Sequence, residues 1–272
     1  MTVGNQQKPE QEISYFGMQA SWGVTKHMGG VQATDELAAL CHISAEQSVL
    51  EVGSGTGVAA CHLAGKYGCR VMGVDLSEEM CAWARKRAAR KALAELAGFR
   101  TGDAQDLPFD DSSFDVVLCE SVTAFPEDQQ GAVREYTRVV KPGGYVGMNE
   151  CTWVRPAPPD ELTSYIRRSM GGAKFHTAGE WQALLENAGL VEIQAHTFKV
   201  NAFSQRLNEM QGLDSQDRRD RMRGMMDFVK MYLTNPGVRR WAREIMPSRQ
   251  VVRDLFAYLG YGLYVGRKPP VG

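Results

Sequence analysis

The stretch that most constrains this 272-residue chain is Val49-Leu50-Glu51-Val52-Gly53-Ser54-Gly55-Thr56-Gly57. A short β-rich run leads straight into glycines at alternate positions, and Val58 to Tyr67 then reads as a helix. Glycine at 53, 55 and 57 removes the Cβ atoms that would hold a ligand off the backbone, and it permits positive φ. Exposed N–H groups and the helix dipole then face whatever sits over the turn. The fold expected from this is an open α/β sheet with a nucleotide or nucleoside cofactor at the carboxyl end of its first strand. The dinucleotide fingerprint G-x-G-x-x-G is spaced differently, because here the third glycine comes one residue early and position 58 is Val.

Further stretches follow in order. Arg70 to Ser77 is a second strand ending in Asp75, about 20 residues past the glycine turn, where a carboxylate can bind a ribose diol. Gly98 to Thr101 is a short third strand, followed by Gly102-Asp103-Ala104. Phe114 to Glu120 is a fourth, and Lys141-Pro142-Gly143-Gly144 turns into a fifth that ends at Asn149-Glu150-Cys151. This ordered set, over roughly residues 13 to 200, resembles the class I S-adenosylmethionine-dependent methyltransferases. More narrowly it looks like the small-molecule group that includes quinone, tocopherol and sterol methyltransferases. The resemblance implies a doubly wound, mostly parallel seven-stranded sheet and S-adenosyl-L-methionine as cofactor. It implies cofactor contacts from Tyr15, Trp22, Glu51, Gly53, Ser54, Gly55, Asp75, Leu76, Asp103, Ala104 and Glu120. The Asp103 carboxylate would accept a hydrogen bond from the adenine amino group.

Charge narrows the partners. The formal net charge of −1 points to no general polyanion, so nucleic acid is not expected. Residues 201–258 hold eleven Lys/Arg against seven Asp/Glu, a net of +4, leaving about −5 on the rest. No run approaches the ~18 apolar residues of a membrane span. The polar start, residues 1–12, lacks an apolar signal core and reads as a disordered tail. The six cysteines are scattered without a C-x-x-C pair, so reduced thiols in the cytoplasm are expected, with no metal site.

Residues 13–32 are rich in aromatics and glycine. They read as a lid that excludes water from the cofactor, or as a cover for the sheet edge. Tyr15, Trp22, Gly23 and His27 look like the entry segment of sterol-type methyltransferases. Thr34 reads as the cap of a helix over 35–41 and Ser77 as the cap of one over 78–96. Glu127 to Val140, Glu161 to Met170 and Gly179 to Ala188 read as helices, and Val191 to Val200 as strand six. The last strand, Tyr261 to Arg267, comes some 60 residues later. The core is therefore 33–200 and 259–272, and 201–258 reads as a helical cap inserted before the last strand. Met222, Met225, Met226, Val229 and Leu233 form a stripe on it, either core or an adaptable wall for an apolar acceptor. Arg218, Arg219, Arg221 and Arg223, with Arg239, Arg240 and Arg243, form a solvated basic face, an anion contact, or a membrane-surface contact.

The resemblance implies methyl transfer; the near-neutral charge and an apolar cap favour a small, hydrophobic acceptor, and the resemblance around Glu120 and the N-terminal segment favours an isoprenoid or ring carbon. Glu120 follows an apolar strand, where a carboxylate needs a charged or hydrogen-bonding partner. That partner is the cofactor's ammonium or a cationic or protic acceptor. Glu120 is the first candidate catalytic residue, with Glu150 and His27 behind it. The rivals are a small-molecule N-methyltransferase, a non-catalytic cofactor-binding scaffold and a nicotinamide oxidoreductase.

Overall fold

The computed structural model describes residues 15–22, 27–199 and 214–271. The expected tail over residues 1–12 and the start of the insertion, 201–213, lie outside the described residues, as does the Trp22 side chain.

The strands are β1 (Ser48–Val52), β2 (Arg70–Asp75), β3 (Ala97–Thr101), β4 (Phe114–Glu120), β5 (Val140–Trp153), β6 (His176–Thr177), β7 (Val191–Lys199) and β8 (Leu259–Arg267). They form one sheet in the order β3-β2-β1-β4-β5-β8-β7, with the two-residue β6 paired to β5 beside that seven-stranded path. β8 runs antiparallel to both β5 and β7; the other pairings are parallel. Central parallel strands are covered on both faces and must be apolar along their length. Leu50, Val116, Val117 and Leu118 are accordingly 0 % exposed. One face carries a core built on Tyr136, Leu162, Ile166 and Trp181, the other a core built on Leu37, Leu63, Ala84 and Ala88. Truncating Leu50 to alanine would cost about 2–5 kcal/mol.

The helices start where their caps are. Ser77 Oγ accepts from Met80 N at 3.3 Å to open Glu78–Arg90, and Asp128 accepts from Gly131 N at 2.7 Å to open Gln129–Val139. Thr177 and Glu180 form a reciprocal capping box on Ala178–Asn187. The helix expected to reach residue 96 stops at Arg90 instead. Ala92 takes φ 55 and Leu93 N returns to Ala88 O at 2.8 Å, a Schellman closure that needs no glycine here. β5 runs past its expected end because β8 pairs with it as far as Trp153↔Leu259. Helices Ser215–Thr234, Pro236–Glu244 and Arg249–Tyr258 stand between β7 and β8.

Strand order reverses between β1 and β4, so the helices after these two strands leave toward opposite faces and a crevice opens at their tips. Ligands of open α/β sheets bind at such a point. Register places Val52 beside Cys119 and Glu120 beside Asn149, so the glycine turn, Glu120 and Asn149 share one edge of the sheet.

Candidate active site

The glycine turn is a cradle with its φ angles fixed by need. Gly53, Gly55 and Gly57 have φ of 70, 50 and 71°. A Cβ on Gly53 would lie 2.1 Å from the Val122 side chain, and one on Gly57 2.8 Å from Ala84 and Phe99. Gly53 N and Ser54 N donate to Val74 O, which ties the turn to the end of β2. Asp75 sits across the turn and accepts from Gly55 N at 2.8 Å and Ser77 N at 2.9 Å. Those bonds use two of about four lone-pair positions on the carboxylate, leaving others for a ligand hydroxyl. Burial raises the Asp75 pKa, against the pull of the two N–H groups.

Glu51 is 5 % exposed, and its Oε2 has no hydrogen-bond partner among the described residues; the Ser54 hydroxyl is likewise buried without one. Burial, and then the nearby charge of Glu120, push the Glu51 carboxyl well above the usual range, opposed by the Ala60 backbone N–H. Orphaned buried polar atoms call for a partner, and a cationic, hydrogen-bonding end of a ligand would supply it. Leu76 stands 74 % exposed at the end of β2, an apolar surface beside the cradle. Asp103 and Ala104 are half-buried beyond β3, and Asp103 accepts from Gln105 N at 2.9 Å. The residue set fits a nucleoside cofactor with a cationic tail.

Next to the cradle the structure assembles a second group. Thr34 Oγ1 donates to Glu120 at 2.9 Å to Oε1 and 3.2 Å to Oε2, and Asn149 Nδ2 donates to Glu120 Oε2 at 3.1 Å. His27 Nε2 lies 3.1 Å from Thr34 Oγ1 and 3.7 Å from Glu120 Oε2. The Thr34 hydroxyl has one proton, which goes to Glu120. The His27–Thr34 bond therefore requires the proton on His27 Nε2, an assignment made from the network. Asn149 Nδ2 also donates to Met28 O at 2.8 Å, and Met28 N donates to Ser121 Oγ at 3.4 Å. The N-terminal segment is thus pinned to the tips of β4 and β5.

This corrects the expected cap at Thr34. The helix runs Gly30–Leu40 and opens at Gly29, in the left-handed region with φ 75°. Thr34 lies within the helix with its hydroxyl turned to the sheet. The spacing of Thr34, Leu37, Ala38 and Cys41 is one helical face, and that periodicity was the available signal. Asn149 and Ser121 carried no comparable signal.

Glu150 is held differently. It is 0 % exposed, and its Oε1 accepts from Val122 N at 3.0 Å and Thr123 N at 2.7 Å, while Oε2 has no partner among the described residues. Consecutive strand residues point to opposite faces, so Glu150 sits beneath the loop after β4, away from the Glu120 cluster. Burial pushes its carboxyl up to about 7. That loop carries Val122, the side chain that packs where a Gly53 Cβ would fall.

Helix Tyr15–Trp22 lies over the same loop. The Tyr15 ring is 6.2 Å from Phe125 in a stacked arrangement, and Phe16 meets Phe125 edge-on at 4.9 Å. Burial raises the Tyr15 phenol. In the 215–258 region, Met222, Met225, Met226, Val229 and Leu233 are all more than half exposed. Four residues of that helix face, with Lys230 and Thr234, line an open depression of about 360 Å³. Arg218, Arg219 and Arg223 are exposed on the same helix, Ser215–Thr234.

Residues 50–148 match the family model described as a methyltransferase domain. The chain is 29 % identical to the phosphoethanolamine N-methyltransferase of Triticum aestivum, over 61 % of this chain and 32 % of that protein. It is 32 % identical to the 27-O-demethylrifamycin SV methyltransferase of Amycolatopsis mediterranei, over 58 % of each. The chain thus spans about a third of the first of these relatives and little more than half of the second. Among solved structures it superposes on the cyclase SpnF with a TM-score of 0.72, 21 % identity and coverage of 94 % of this chain and 93 % of that one. That likeness speaks for the fold, which hosts more than one reaction. Among the described residues no helix is long and apolar enough to cross a membrane. The matched stretch runs from β1 into β5 and contains the glycine cradle, so this part of the chain is a methyltransferase domain, and the cradle is where its S-adenosylmethionine would sit.

Proposed function

We propose that this protein transfers a methyl group from S-adenosylmethionine to a small, apolar acceptor, with an isoprenoid or ring carbon favoured. The observation that carries the reading is the Glu120 carboxylate, 8 % exposed at the crevice between β1 and β4 and held by Thr34 and Asn149. When bound, the cofactor supplies an electrophilic methyl group on a sulfonium and leaves as a neutral thioether. The glycine turn, Glu51 and Ser54 receive its cationic methionine end, Asp75 takes ribose hydroxyls, and Leu76, Asp103 and Ala104 hold the adenine. Alignment of the two partners at about 3–3.5 Å and exclusion of water account for most of the rate. Tyr15 serves that exclusion.

A carbon acceptor gains positive charge as its bond to the methyl group forms. The fixed Glu120 carboxylate opposes that charge from a low-dielectric site, where such stabilisation is large. His27, bonded to Thr34, orients the network and stands ready for the proton that a ring carbon then sheds. Glu150 holds the loop. The exposed methionine stripe with Arg219, Arg223 and Lys230 beside it supports a membrane surface as the place where an apolar acceptor is met. A second reading is N-methylation of a small amine, favoured by the likeness to the wheat enzyme and by the fit of an ammonium group to Glu120.

Calorimetric titration with S-adenosylmethionine and S-adenosylhomocysteine, on the wild type and Asp75→Ala, tests the first step. Micromolar binding weakened by the substitution supports the reading and opens an acceptor screen of isoprenoids, phenols and amines. Folded protein that binds neither compound overturns it. Binding without turnover of any acceptor favours a scaffold.

A further inference from the structure

Thr56 of the cradle and Asp217 of the cap helix are 161 residues apart in the chain, yet one buried guanidinium touches both. Arg87 is 7 % exposed on helix Glu78–Arg90. Its Nη1 donates to Thr56 O, a carbonyl inside the glycine turn. Its Nε and Nη2 donate to Asp217 Oδ1 at 3.2 and 3.0 Å. Asp217 is 5 % exposed and is the third residue of helix Ser215–Thr234. Its Oδ2 accepts from Asp214 N at 3.2 Å, and its own N donates to Asp214 Oδ1 at 2.8 Å, so the same carboxylate closes the capping box of that helix.

We propose that Arg87 and Asp217 are a positioning pair that couples the seating of the cap helix to the shape of the cofactor turn. The inference rests on the reading of that turn as the cofactor site. A guanidinium is a rigid planar fork, so the direction of its bond to Thr56 O fixes the direction of its bonds to Asp217. Movement of the turn is therefore felt at the first turn of the cap helix. The surroundings favour the seated state. Arg90 Nη2 also donates to Asp217 Oδ1, and Lys91 Nζ lies 3.1 Å from Asp214. These cations end one helix while the two aspartates begin the other, which is the favourable sense for both helix dipoles. Inside the protein, loss of one partner leaves the other charge buried and uncompensated, so the link behaves as made or broken. A ligand that rigidifies the turn must then also favour the seated cap, and by reciprocity a seated cap must favour the ligand. The acceptor would thus meet an ordered cap after the cofactor is in place.

Hydrogen exchange read by mass spectrometry tests this on the full chain, with S-adenosylhomocysteine as the probe. In the wild type the probe should slow exchange in residues 53–60 and also in 215–234. In Asp217→Asn it should still slow 53–60, leave 215–234 unprotected, and bind about tenfold more weakly, within the usual range of coupling between sites. Asp217→Glu, which can reach Arg87 again, should restore part of both effects. Equal protection of 215–234 in wild type and Asp217→Asn, with affinity changed less than twofold, overturns the proposal. A purely structural role would loosen the cap without making its protection depend on the probe. If Asp217→Asn does not fold, Arg87→Lys keeps the charge without the fork and is read in the same way. If the wild type does not bind the probe, the cofactor reading fails, and the link is judged in ligand-free protein. There Asp217→Asn must speed exchange at 53–60, and unchanged exchange refutes it.

Discussion

Two glutamates close neighbouring strands, and the protein treats them in opposite ways. Glu120 ends β4 and is held by side chains, from Thr34 and Asn149, with His27 nearby. Glu150, near the end of the next strand, is held by backbone, from Val122 N and Thr123 N, and has no solvent exposure. Side-chain donors come from distant segments and converge on Glu120 only in the folded chain. The backbone donors of Glu150 come from one short stretch, the loop after β4 at 27 and 28 residues' separation, and fix that loop's shape. The difference separates a group presented at the crevice from a group that supports the crevice wall, although in the sequence both are acids after an apolar strand.

The contrast breaks most readily at Glu120. In Glu120→Gln, turnover should fall about 10²–10³-fold if the carboxylate stabilises developing charge, with S-adenosylhomocysteine affinity nearly unchanged. A large loss of affinity with a smaller loss of turnover would instead make Glu120 the partner of the cofactor's ammonium. Titration calorimetry beside a methyl-transfer assay separates the two. Gly53→Ala should come next, because the added methyl meets Val122 and needs φ 70°. A loss of about 1–3 kcal/mol of stability and a clear loss of cofactor affinity are expected, read by urea melts and calorimetry.

At Glu150 the contrast is sharpened by pH. Its folded pKa is raised to about 7 from an unfolded value of 4.5. The folded state therefore holds this proton where the unfolded state has lost it. This group's contribution is most favourable below about 4.5, is lost as pH rises from about 4.5 to 7, and is flat above. The total is on the order of 3 kcal/mol. Glu150→Gln keeps an acceptor for Val122 N and Thr123 N but cannot ionise, so its urea midpoint should fall less between pH 5 and 7.5 than that of the wild type. An equal fall in both proteins would move the effect to other buried acids, Glu51 first.

Much of the frame was legible because it is written locally. The glycine turn, the acids ending β2 and β4, the Ser77 cap and the apolar runs are each contained in a few residues, and the parallel sheet follows from their order. The site was legible only where one segment carries it. Glu120 stood out because a charge after four buried strand residues demands a partner, but the partners are Thr34 and Asn149, 86 and 29 residues away. Thr34 was read as a cap because a hydroxyl before an acid is a local signal, and its tertiary bond is not. Glu150 and Glu120 look alike for the same reason. Arg87 and Asp217 were invisible as a pair, since each sits in a helix with ordinary charged neighbours and their meeting depends on how the helices after β7 pack back on the chain.

The finest test of the contrast is Thr34. Its hydroxyl serves Glu120 and no backbone group, so the effect of removing it should track Glu120 and leave Glu150 untouched. Thr34→Val keeps the shape and deletes the donor, and a hydrogen bond to a charged group contributes about 1.5–3 kcal/mol. Water reaching the crevice would offset part of this, so about 1 kcal/mol of stability is expected to be lost, with turnover down about fivefold or more. Thr34→Ser keeps the donor and should recover both. The pH dependence assigned to Glu150 should be the same in all three proteins. If Thr34→Val altered that dependence, the two glutamates would share one network, and the division between presented acid and supporting acid would be wrong.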